Sequence, residues 1–347
     1  MSYYTLPKTN TTFLSPIETS TNSYNTCISH NYLNYYIKNT EAITNICKEN
    51  GNYTLNSIFE KFQKTKIFKN NFSFYIFFEI CTTFNIFDYY KYQPIKTLHI
   101  INENENENDI KDCINLFHKN ELNQHICYNE LNTDENNYDI MFFNLIINND
   151  LNNLNDYFTY FIKILMTILK NQNTNGISII KISHIFYKPI VDILFVLCSL
   201  YDKVYIIKSK ISNKMTFEKY IICFNFTNTS NNITNYNILQ EFLYKIQLNK
   251  SNILSILNYN ISYYFNMKLN DINTIIGQKQ IEILDNIINI LKSKNVQDKL
   301  DLIQNSNIQK CISWCDKHKL PYNKTNIFLK KCISDDNETI SNLQNHL

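Results

Sequence analysis

Glycine and proline are scarce in this chain, which has 3 Gly and 5 Pro among 347 residues. Collagen-like and glycine-rich architectures are therefore excluded. The shortage also leaves almost no glycine for a loop whose backbone must approach a phosphate group closely. By contrast, 44% of the residues are hydrophobic, with 25 Tyr and 23 Phe. A chain of this length and hydrophobic content can bury a sizeable core and should fold.

Arginine is absent, so all 33 basic residues are lysine. The missing side chain is the one best suited to bidentate contacts with phosphate groups or guanine. The formal net charge is only +2, so the chain has no overall positive field that would attract nucleic acid. Any contact with RNA must therefore rest on lysine and aromatic side chains.

The ten cysteines are scattered and form no CxxC pair, which argues against a zinc ribbon and against a disulfide scaffold. A reducing compartment, and hence a cytoplasmic location, is the simpler expectation. The longest apolar run, 189–201, is interrupted by Asp192 and is too short to span a bilayer. Residues 1–5 do not begin a signal peptide. The sequence thus predicts a soluble protein without a membrane segment.

Three regions of the chain differ in pattern. Residues 1–55 are polar and weakly periodic, which predicts an extended arm or a lightly packed extension. Residues 56–230 alternate buried strands with helices, and residues 231–347 have a helical pattern. Alternating β and α units predict an α/β fold with a mostly parallel sheet covered by helices. The last two strands follow each other without a helix, which predicts an antiparallel hairpin at the sheet edge.

The individual elements follow from the spacing of apolar residues. Apolar residues at helical spacing between 74 and 80 predict the first core helix. Strands are predicted at 97–101, 138–143, 177–182, 203–207 and 219–224. Helices are predicted at 154–169, 189–201, 238–246, 253–265, 272–291 and 308–318. The tract 102–109, rich in Asn and Glu, predicts a solvated loop.

Several segments resemble one enzyme family. They are Gly-Ile-Ser-Ile-Ile-Lys at 176–181, Phe-Tyr-Lys-Pro at 186–189, Leu-Tyr-Asp-Lys-Val-Tyr at 200–205, Phe-Glu-Lys-Tyr at 217–220 and the Trp-Cys segment at 313–321. Together they resemble the FtsJ-like RNA 2′-O-methyltransferases of large cytoplasmic DNA viruses. The resemblance implies a Rossmann-like methyltransferase sheet followed by C-terminal helices. It covers roughly the second half of the chain and is weaker from about residue 73 to 144.

The resemblance implies a Lys-Asp-Lys-Glu tetrad, in which one lysine removes the proton of a ribose 2′-hydroxyl as that oxygen attacks the methyl group of S-adenosylmethionine. The third and fourth positions of the tetrad are occupied here by Lys181 and Glu218. The first lysine position falls on Ile76, and the aspartate position falls on Asn144. The resemblance therefore implies a remaining catalytic pair within an incomplete tetrad.

The cofactor half of the family pattern is eroded in this chain. In the family, the first strand leads into a Glu-x-Pro-Gly-Gly loop that binds S-adenosylmethionine, whereas residues 102–107 here read Asn-Glu-Asn-Glu-Asn-Glu. Only about 36 residues separate the strands at 97–101 and 138–143. This length is too short for the two strands and two helices that the cofactor half of the family requires. We therefore assign no cofactor-binding residue and expect no cofactor.

Lysines near the last two strands are candidates for contact with RNA, namely Lys208, Lys210 and Lys214. A solvated, lysine-rich strand edge that discourages strand pairing is the alternative. Cys311, Cys315 and His318 share one helical face, but their spacing matches no standard zinc site. A buried packing stripe is favoured there, and no metal site is predicted. His99 is expected to be a core or loop histidine.

The favoured hypothesis is a methyltransferase-like viral protein without catalytic activity, acting as a regulatory or RNA-binding subunit in mRNA capping. Its expected partners are RNA and a capping-enzyme or transcription-complex subunit, in the host cytoplasm or the virion. One alternative is an active, S-adenosylmethionine-dependent RNA 2′-O-methyltransferase that uses Lys181 and Glu218. The other is a structural or virion protein that retains only the fold.

Overall fold

The computed structural model describes residues 2–11, 13–21, 24–51, 53–62, 72–101, 106–131, 136–144, 153–227 and 229–323. The strands are β1 (Ser2–Leu6), β2 (Ile17–Thr19), β3 (Lys96–Ile100), β4 (Gln124–Tyr128), β5 (Tyr138–Phe143), β6 (Gln172–Ile182), β7 (Tyr201–Lys208), β8 (Lys219–Phe226) and β9 (Asn252–Ser255). The helices are α1 (His30–Asn50), α2 (Leu55–Phe62), α3 (Phe72–Phe84), α4 (Asn108–Phe117), α5 (Leu154–Asn171), α6 (Lys188–Leu200), α7 (Asn231–Asn249), α8 (Tyr263–Leu291) and α9 (Val296–His318). A 3-10 helix spans Ile86–Tyr90.

The central sheet has seven strands in the order β1-β7-β8-β6-β5-β3-β4. β4, β3, β5 and β6 are parallel to one another. β8 is antiparallel to both β6 and β7, so β7 runs in the same direction as β6. The predicted α/β fold with a mostly parallel sheet is confirmed. The β7–β8 hairpin is antiparallel as predicted, but it is not at the sheet edge, because β1 pairs with the outer side of β7.

The sheet is packed on both faces. Along β5, Met141 and Phe143 belong to the hydrophobic cluster that contains α5 and α6. Ile140 and Phe142 belong to the opposite cluster, which contains α3 and α4. This division follows from the geometry of a strand, in which successive side chains point to opposite faces. Because both faces are buried, the strand is a continuous apolar run, and its predicted bounds match β5.

Residues 2–51 contribute elements to the fold, so the expectation of an extended arm over 1–55 is corrected. β1 pairs with β7, and β2 pairs with β9 in a separate two-stranded sheet. α1 packs against α8, where Gly277 makes room for the ring of Tyr32, since a Cβ at position 277 would lie 2.6 Å from that ring. Strands of five and three residues are too short to show a clear periodicity. The division of the chain at residues 55 and 230 stays a prediction.

The helix predicted at 253–265 is wrong over 253–262, because Asn252–Ser255 form β9 and the next helix, α8, begins only at Tyr263. Ile256 and Leu257 are buried like residues of a helix face. However, the carboxylate of Asp192 accepts hydrogen bonds from their backbone N–H groups, at 2.8 Å and 3.2 Å. A buried acceptor on α6 thus satisfies donors that a helix would have satisfied internally. The other predicted helices are present, and α7, α8 and α9 begin earlier than predicted.

Between β3 and β5, the described residues, 101, 106–131 and 136–137, form one helix and one strand, α4 and β4. Neither element was predicted from the sequence. The predicted solvated loop at 102–109 lies partly outside the described residues, at 102–105, and α4 already begins at Asn108. β4 pairs with β3 alone among the described strands and is the last strand on this side of the sheet. The described part of this interval is therefore a single αβ unit.

Candidate functional site

Four strands bring polar side chains to one edge of the sheet. β5, β6 and β7 run in the same direction and end at Phe143, Ile182 and Lys208, and the antiparallel β8 begins beside them at Lys219. In open α/β sheets, ligands bind outside the carboxyl ends of the parallel strands. We call this part of the molecule the carboxyl edge and take it as the candidate functional site.

The two predicted catalytic residues are in contact at the carboxyl edge. Nζ of Lys181 lies 3.4 Å from Oε2 of Glu218, and the side chains are 12% and 20% exposed. Tyr220 pairs with Lys181 across β6 and β8, and its hydroxyl lies 3.4 Å from Oε1 of Glu218. The same hydroxyl lies 3.5 Å from Oδ1 of Asn144, which is buried. Tyr220, which was not predicted to contact the tetrad positions, thus connects three of the four.

The remaining tetrad position is the first lysine position, Ile76, which lies in the middle of α3 and is fully buried. It belongs to the same hydrophobic cluster as Phe142 and Tyr220. An isoleucine side chain carries no donor, acceptor or titratable group. This position therefore contributes packing and no proton chemistry.

The loop at 209–218 joins β7 to β8 and carries Glu218. Buried side chains of two helices form hydrogen bonds with this loop. Glu79 of α3 is a buried carboxylate that accepts hydrogen bonds from the hydroxyl of Ser209 and, at 3.1 Å, from the backbone N–H of Lys210. Gln280 of α8 donates to a backbone carbonyl of the same loop. The loop is therefore held between two helices on its way to the carboxyl edge.

Two lysine ammonium groups at the carboxyl edge are directed into the protein. Nζ of Lys208 donates to the backbone carbonyls of Thr216 and Glu218, both at 2.7 Å. Lys219 is 1% exposed, and its Nζ donates to the carbonyl of Phe217 at 3.1 Å. Burial lowers the pKa of Lys208 to about 8 and the pKa of Lys219 to about 7. Lys208 was predicted to contact RNA, but its ammonium group is engaged by the backbone; the RNA role itself stays a prediction.

Lys210 and Lys214, the other lysines predicted to contact RNA, are exposed. Partial burial and the charges of Lys310 and Lys279 lower the pKa of Lys214. The pKa of His318 is lowered chiefly by burial and additionally by the charges of Lys317 and Lys210. Lys214 therefore lies near Lys279 and Lys310, and Lys210 and Lys317 both lie near His318. We call these lysines the basic patch, which consists of Lys210, Lys214, Lys279, Lys310 and Lys317.

A second cluster lies at the carboxyl ends of β3 and β4. His99, His125 and Cys127 each place one ring nitrogen or sulfur within 4.8 Å of the others. Sγ of Cys127 lies 3.1 Å from Nε2 of His125 and 3.7 Å from Nδ1 of His99. Burial lowers the pKa of His125 to about 4, lowers the pKa of His99 well below 6.5 and raises the pKa of the Cys127 thiol to about 12. His99 is thus buried, as expected, but potential metal ligands surround it.

The sequence analysis overlooked this cluster because His99 and Cys127 are 28 residues apart. The available signal was the His-x-Cys sequence at 125–127, because residues two apart on a strand share a face. The parallel register of β3 and β4 then places His99 opposite Cys127. That register depends on pairing between distant segments, which the local pattern does not encode.

The helical stripe of Cys311, Cys315 and His318 lies on α9. Both cysteines are buried, and the ring of His318 lies 4.6 Å from the ring of Trp314. These contacts fit the predicted packing stripe. Among the described residues, the nine cysteines form no disulfide bond.

The chain matches no known family profile and no curated protein. In the part of the chain that the structure describes, none of the helices has both the length and the apolar character needed to cross a membrane.

Proposed function

We propose that the chain is a methyltransferase-like protein of viral type that does not catalyse methyl transfer and that binds RNA as a regulatory subunit in mRNA cap formation. The sheet topology supports the methyltransferase-like part of the proposal. The resemblance implies an antiparallel hairpin at the end of a doubly wound sheet. The β7–β8 hairpin is antiparallel, with β8 inserted between β6 and β7, but β1 pairs with the outer side of β7 and forms the sheet edge.

The observation that carries the proposal is the state of the four tetrad positions. Lys181 and Glu218 are in contact at the carboxyl edge, and Asn144 is joined to them through Tyr220. The amide of Asn144 is neutral, so it supplies no negative charge to orient or tune a catalytic lysine. Ile76 supplies no second lysine. The arrangement retains half of the tetrad without the groups that would complete it.

The β3 end of the sheet supports the absence of S-adenosylmethionine binding. Residues 52–175 contain no glycine, so no loop in this stretch allows the close backbone approach that glycine provides. The side chains of His99 and Cys127 lie at the carboxyl ends of β3 and β4, on the side of the sheet where the resemblance places the cofactor. Both features oppose binding of the adenosine half of the cofactor.

The basic patch supports binding of RNA. Its lysines extend from the loop at 209–218 onto α8 and α9, so they flank the segment that carries Glu218. Exposed lysines bind RNA chiefly through phosphate groups, with little dependence on sequence. A backbone-binding surface next to the remaining Lys181–Glu218 pair fits a subunit that holds RNA without modifying it.

The catalytic part of the proposal is tested by calorimetric titration with S-adenosylmethionine and, separately, with S-adenosylhomocysteine. We expect no heat of binding up to about 1 mM ligand, which corresponds to an affinity weaker than about −4 kcal/mol. A related active enzyme serves as the positive control. Micromolar binding would overturn the proposal and favour the active-enzyme alternative, which a methylation assay on capped RNA with Lys181→Met as the inactive variant would then examine.

The RNA-binding part is tested by fluorescence anisotropy with a labelled, capped RNA oligonucleotide at several salt concentrations. The Lys210→Glu, Lys214→Glu double variant should bind more weakly, with a salt slope reduced by about 0.7 for each lost phosphate contact. The matched control is the Lys119→Glu, Lys163→Glu double variant, which removes two exposed lysines outside the basic patch. An equal loss in the control, or no binding by the unmodified protein, would contradict this role and favour the structural alternative.

A further inference from the structure

We propose that His99, His125 and Cys127 form a binding site for one metal ion, and that zinc(II) is the ion that this donor set fits. Two imidazole nitrogens and one sulfur are typical zinc donors, and three protein ligands leave a fourth position for water or another group. The proposal is independent of the RNA-binding role, because none of the three residues belongs to the tetrad or to the basic patch.

The register of two neighbouring strands brings the ligands together. β3 and β4 are parallel, with His99 opposite Cys127 and Thr97 opposite His125. His125 and Cys127 are two residues apart on β4 and therefore share one face of the sheet. The cluster thus depends on paired strands rather than on flexible loop side chains. Sites built on regular elements hold their ligands in a more defined geometry than sites built on loops.

The distances between the donor atoms are close to those of a tetrahedral zinc site. Zinc bonds of about 2.0–2.1 Å to nitrogen and 2.3 Å to sulfur place neighbouring ligand atoms about 3.3–3.6 Å apart. Sγ of Cys127 lies 3.1 Å from Nε2 of His125 and 3.7 Å from Nδ1 of His99. All three donor atoms lie within 4.8 Å of one another. Small rotations of the side chains suffice to surround one ion.

The surroundings orient both imidazoles. Nδ1 of His125 lies 2.6 Å from the hydroxyl of Thr97, so its Nε2 faces Cys127. Such an outer hydrogen bond is characteristic of metal-binding histidines. The ring of His99 stacks on Phe142 at 5.0 Å between ring centres, with 11° between the planes.

Of the two ring nitrogens of His99, Nδ1 faces the cluster, at 3.7 Å from Sγ of Cys127, and is the atom that would bind the metal. Nε2 is buried and makes no hydrogen bond among the described residues, and a metal on Nδ1 would not change this. His125 and Cys127 are half-buried, so an ion can reach the cluster from solvent.

The fourth ligand position faces the start of α4. Sγ of Cys127 lies 3.7 Å from the backbone carbonyl of Glu107, the residue before the first turn of that helix, and Glu107 is exposed. Either the carboxylate of Glu107 or a water molecule would complete the coordination. Bound metal would then join β3, β4 and α4 and would stabilise this end of the sheet.

The test is titration of chelator-treated full-length protein with Co²⁺, followed by competition with Zn²⁺. We expect one equivalent of Co²⁺ to produce tetrahedral d–d absorption and a sulfur-to-cobalt charge-transfer band, and Zn²⁺ to abolish both. Cys127→Ser should remove the charge-transfer band and weaken binding by more than about 100-fold, since loss of an outer partner alone costs 10- to 100-fold. His125→Gln should weaken binding similarly, and Thr97→Val by about 10-fold.

The matched controls are Cys27→Ser, which removes an exposed cysteine, and Cys315→Ser, which removes a buried cysteine of α9. Both should bind Co²⁺ like the unmodified protein. The proposal is overturned if the protein binds no cobalt, or if binding survives both Cys127→Ser and His125→Gln. It is also overturned if Cys315→Ser abolishes the signal instead. Circular dichroism of each variant establishes that it is folded, and the two ligand variants provide independent readings.

Discussion

The carboxyl edge and the β3–β4 end of the same sheet carry different kinds of polar side chain. At the β6–β8 end, Lys181 and Glu218 form an ion pair, and Tyr220 joins it to the end of β5. At the β3–β4 end, the polar groups are neutral imidazoles and a thiol. Phe142 of β5 separates the two ends, with its ring stacked on His99 at 5.0 Å and lying 6.4 Å from the ring of Tyr220.

This difference shows how one sheet edge accommodates two polar clusters. At the β6–β8 end, charged groups lie next to opposite charges or carbonyl oxygens, whereas at the β3–β4 end the imidazoles and the thiol lie next to one another. The apolar ring of Phe142 lies between the two clusters, so among the described residues the polar groups of one cluster do not form hydrogen bonds with those of the other. We therefore expect a substitution at one end to leave the other end intact, unless the substitution affects Phe142.

Phe142→Ala should have the largest effect, because it removes the ring between the two ends. Phe142 is 1% exposed and also packs against Phe77 at 5.2 Å. Truncation of a buried phenylalanine costs about 3–5 kcal/mol, so the free energy of unfolding should fall by that amount in urea titrations. Phe13→Ala, at a ring that is 53% exposed, is the control and should change it by less than about 0.5 kcal/mol. A loss below about 1 kcal/mol at position 142 would contradict the separating role.

Lys219→Met should remove part of the pH dependence of stability. The folded-state pKa of Lys219 is about 7 against an ordinary value of 10.5, so the unfolded chain binds more protons between these values. The stability of the unmodified protein should therefore rise with pH in this window. Between about pH 6.5 and pH 8.5, we expect its free energy of unfolding to rise about 1–2 kcal/mol more than that of the variant.

The control for this measurement is Lys203→Met, which replaces an exposed lysine on β7. Its unfolding free energy should follow that of the unmodified protein at every pH. Parallel curves for the unmodified protein and Lys219→Met would mean that the Lys219 ammonium group is not held away from water.

Glu79→Gln should loosen the loop at 209–218. The substitution keeps one acceptor for the Ser209 hydroxyl or the Lys210 N–H but removes the charge that strengthens both bonds. We expect a loss of about 1–2 kcal/mol in unfolding free energy and faster proteolytic cleavage within the loop. Glu41→Gln on α1 is exposed and should have neither effect. Unchanged cleavage in Glu79→Gln would mean that other contacts hold the loop.

The smallest effect is expected for the ion pair itself. A double-mutant cycle with Lys181→Met and Glu218→Gln should give a coupling energy of about 0.2–1 kcal/mol, because both side chains retain some contact with solvent. The coupling should decrease with added salt. A value above about 2 kcal/mol would show a pair shielded from water, and binding of Co²⁺ at the β3–β4 end should be unchanged throughout.

The most accurately predicted elements are those whose own hydrophobic pattern already matches their position in the fold. β5 and β6 are apolar on both faces, and α6 begins with a proline in its first turn, so local pattern and final position agree. β4 was missed because it reads Gln-His-Ile-Cys-Tyr and pairs with β3 only. β9 was mistaken for helix because a remote carboxylate, that of Asp192, satisfies its following residues. These outcomes depend on partners far away in the chain.

The candidate site was predictable only in part, because its contacts also join segments that are distant in the chain. Lys181 and Glu218 were found through segments that resemble a family, and their contact follows from the β6–β8 register. Tyr220 belongs to a segment of the resemblance, but its position between Glu218 and Asn144 was not predicted, because it depends on the pairing of distant strands. The inward orientation of the Lys208 ammonium group likewise depends on carbonyls of the loop that follows.

The pairing of β1 with β7 has a consequence for the order of events during synthesis. Residues 2–6 leave the ribosome early, but their partners, between Val204 and Lys208, are made about 200 residues later. At about 5–20 residues per second, this delay is roughly 10–40 s. During this delay β1 has no partner strand in the sheet, so its N–H and C=O groups are open to pairing with other chains. The nascent protein therefore passes through a stage that favours association between copies, and docking of its first strand ends that stage.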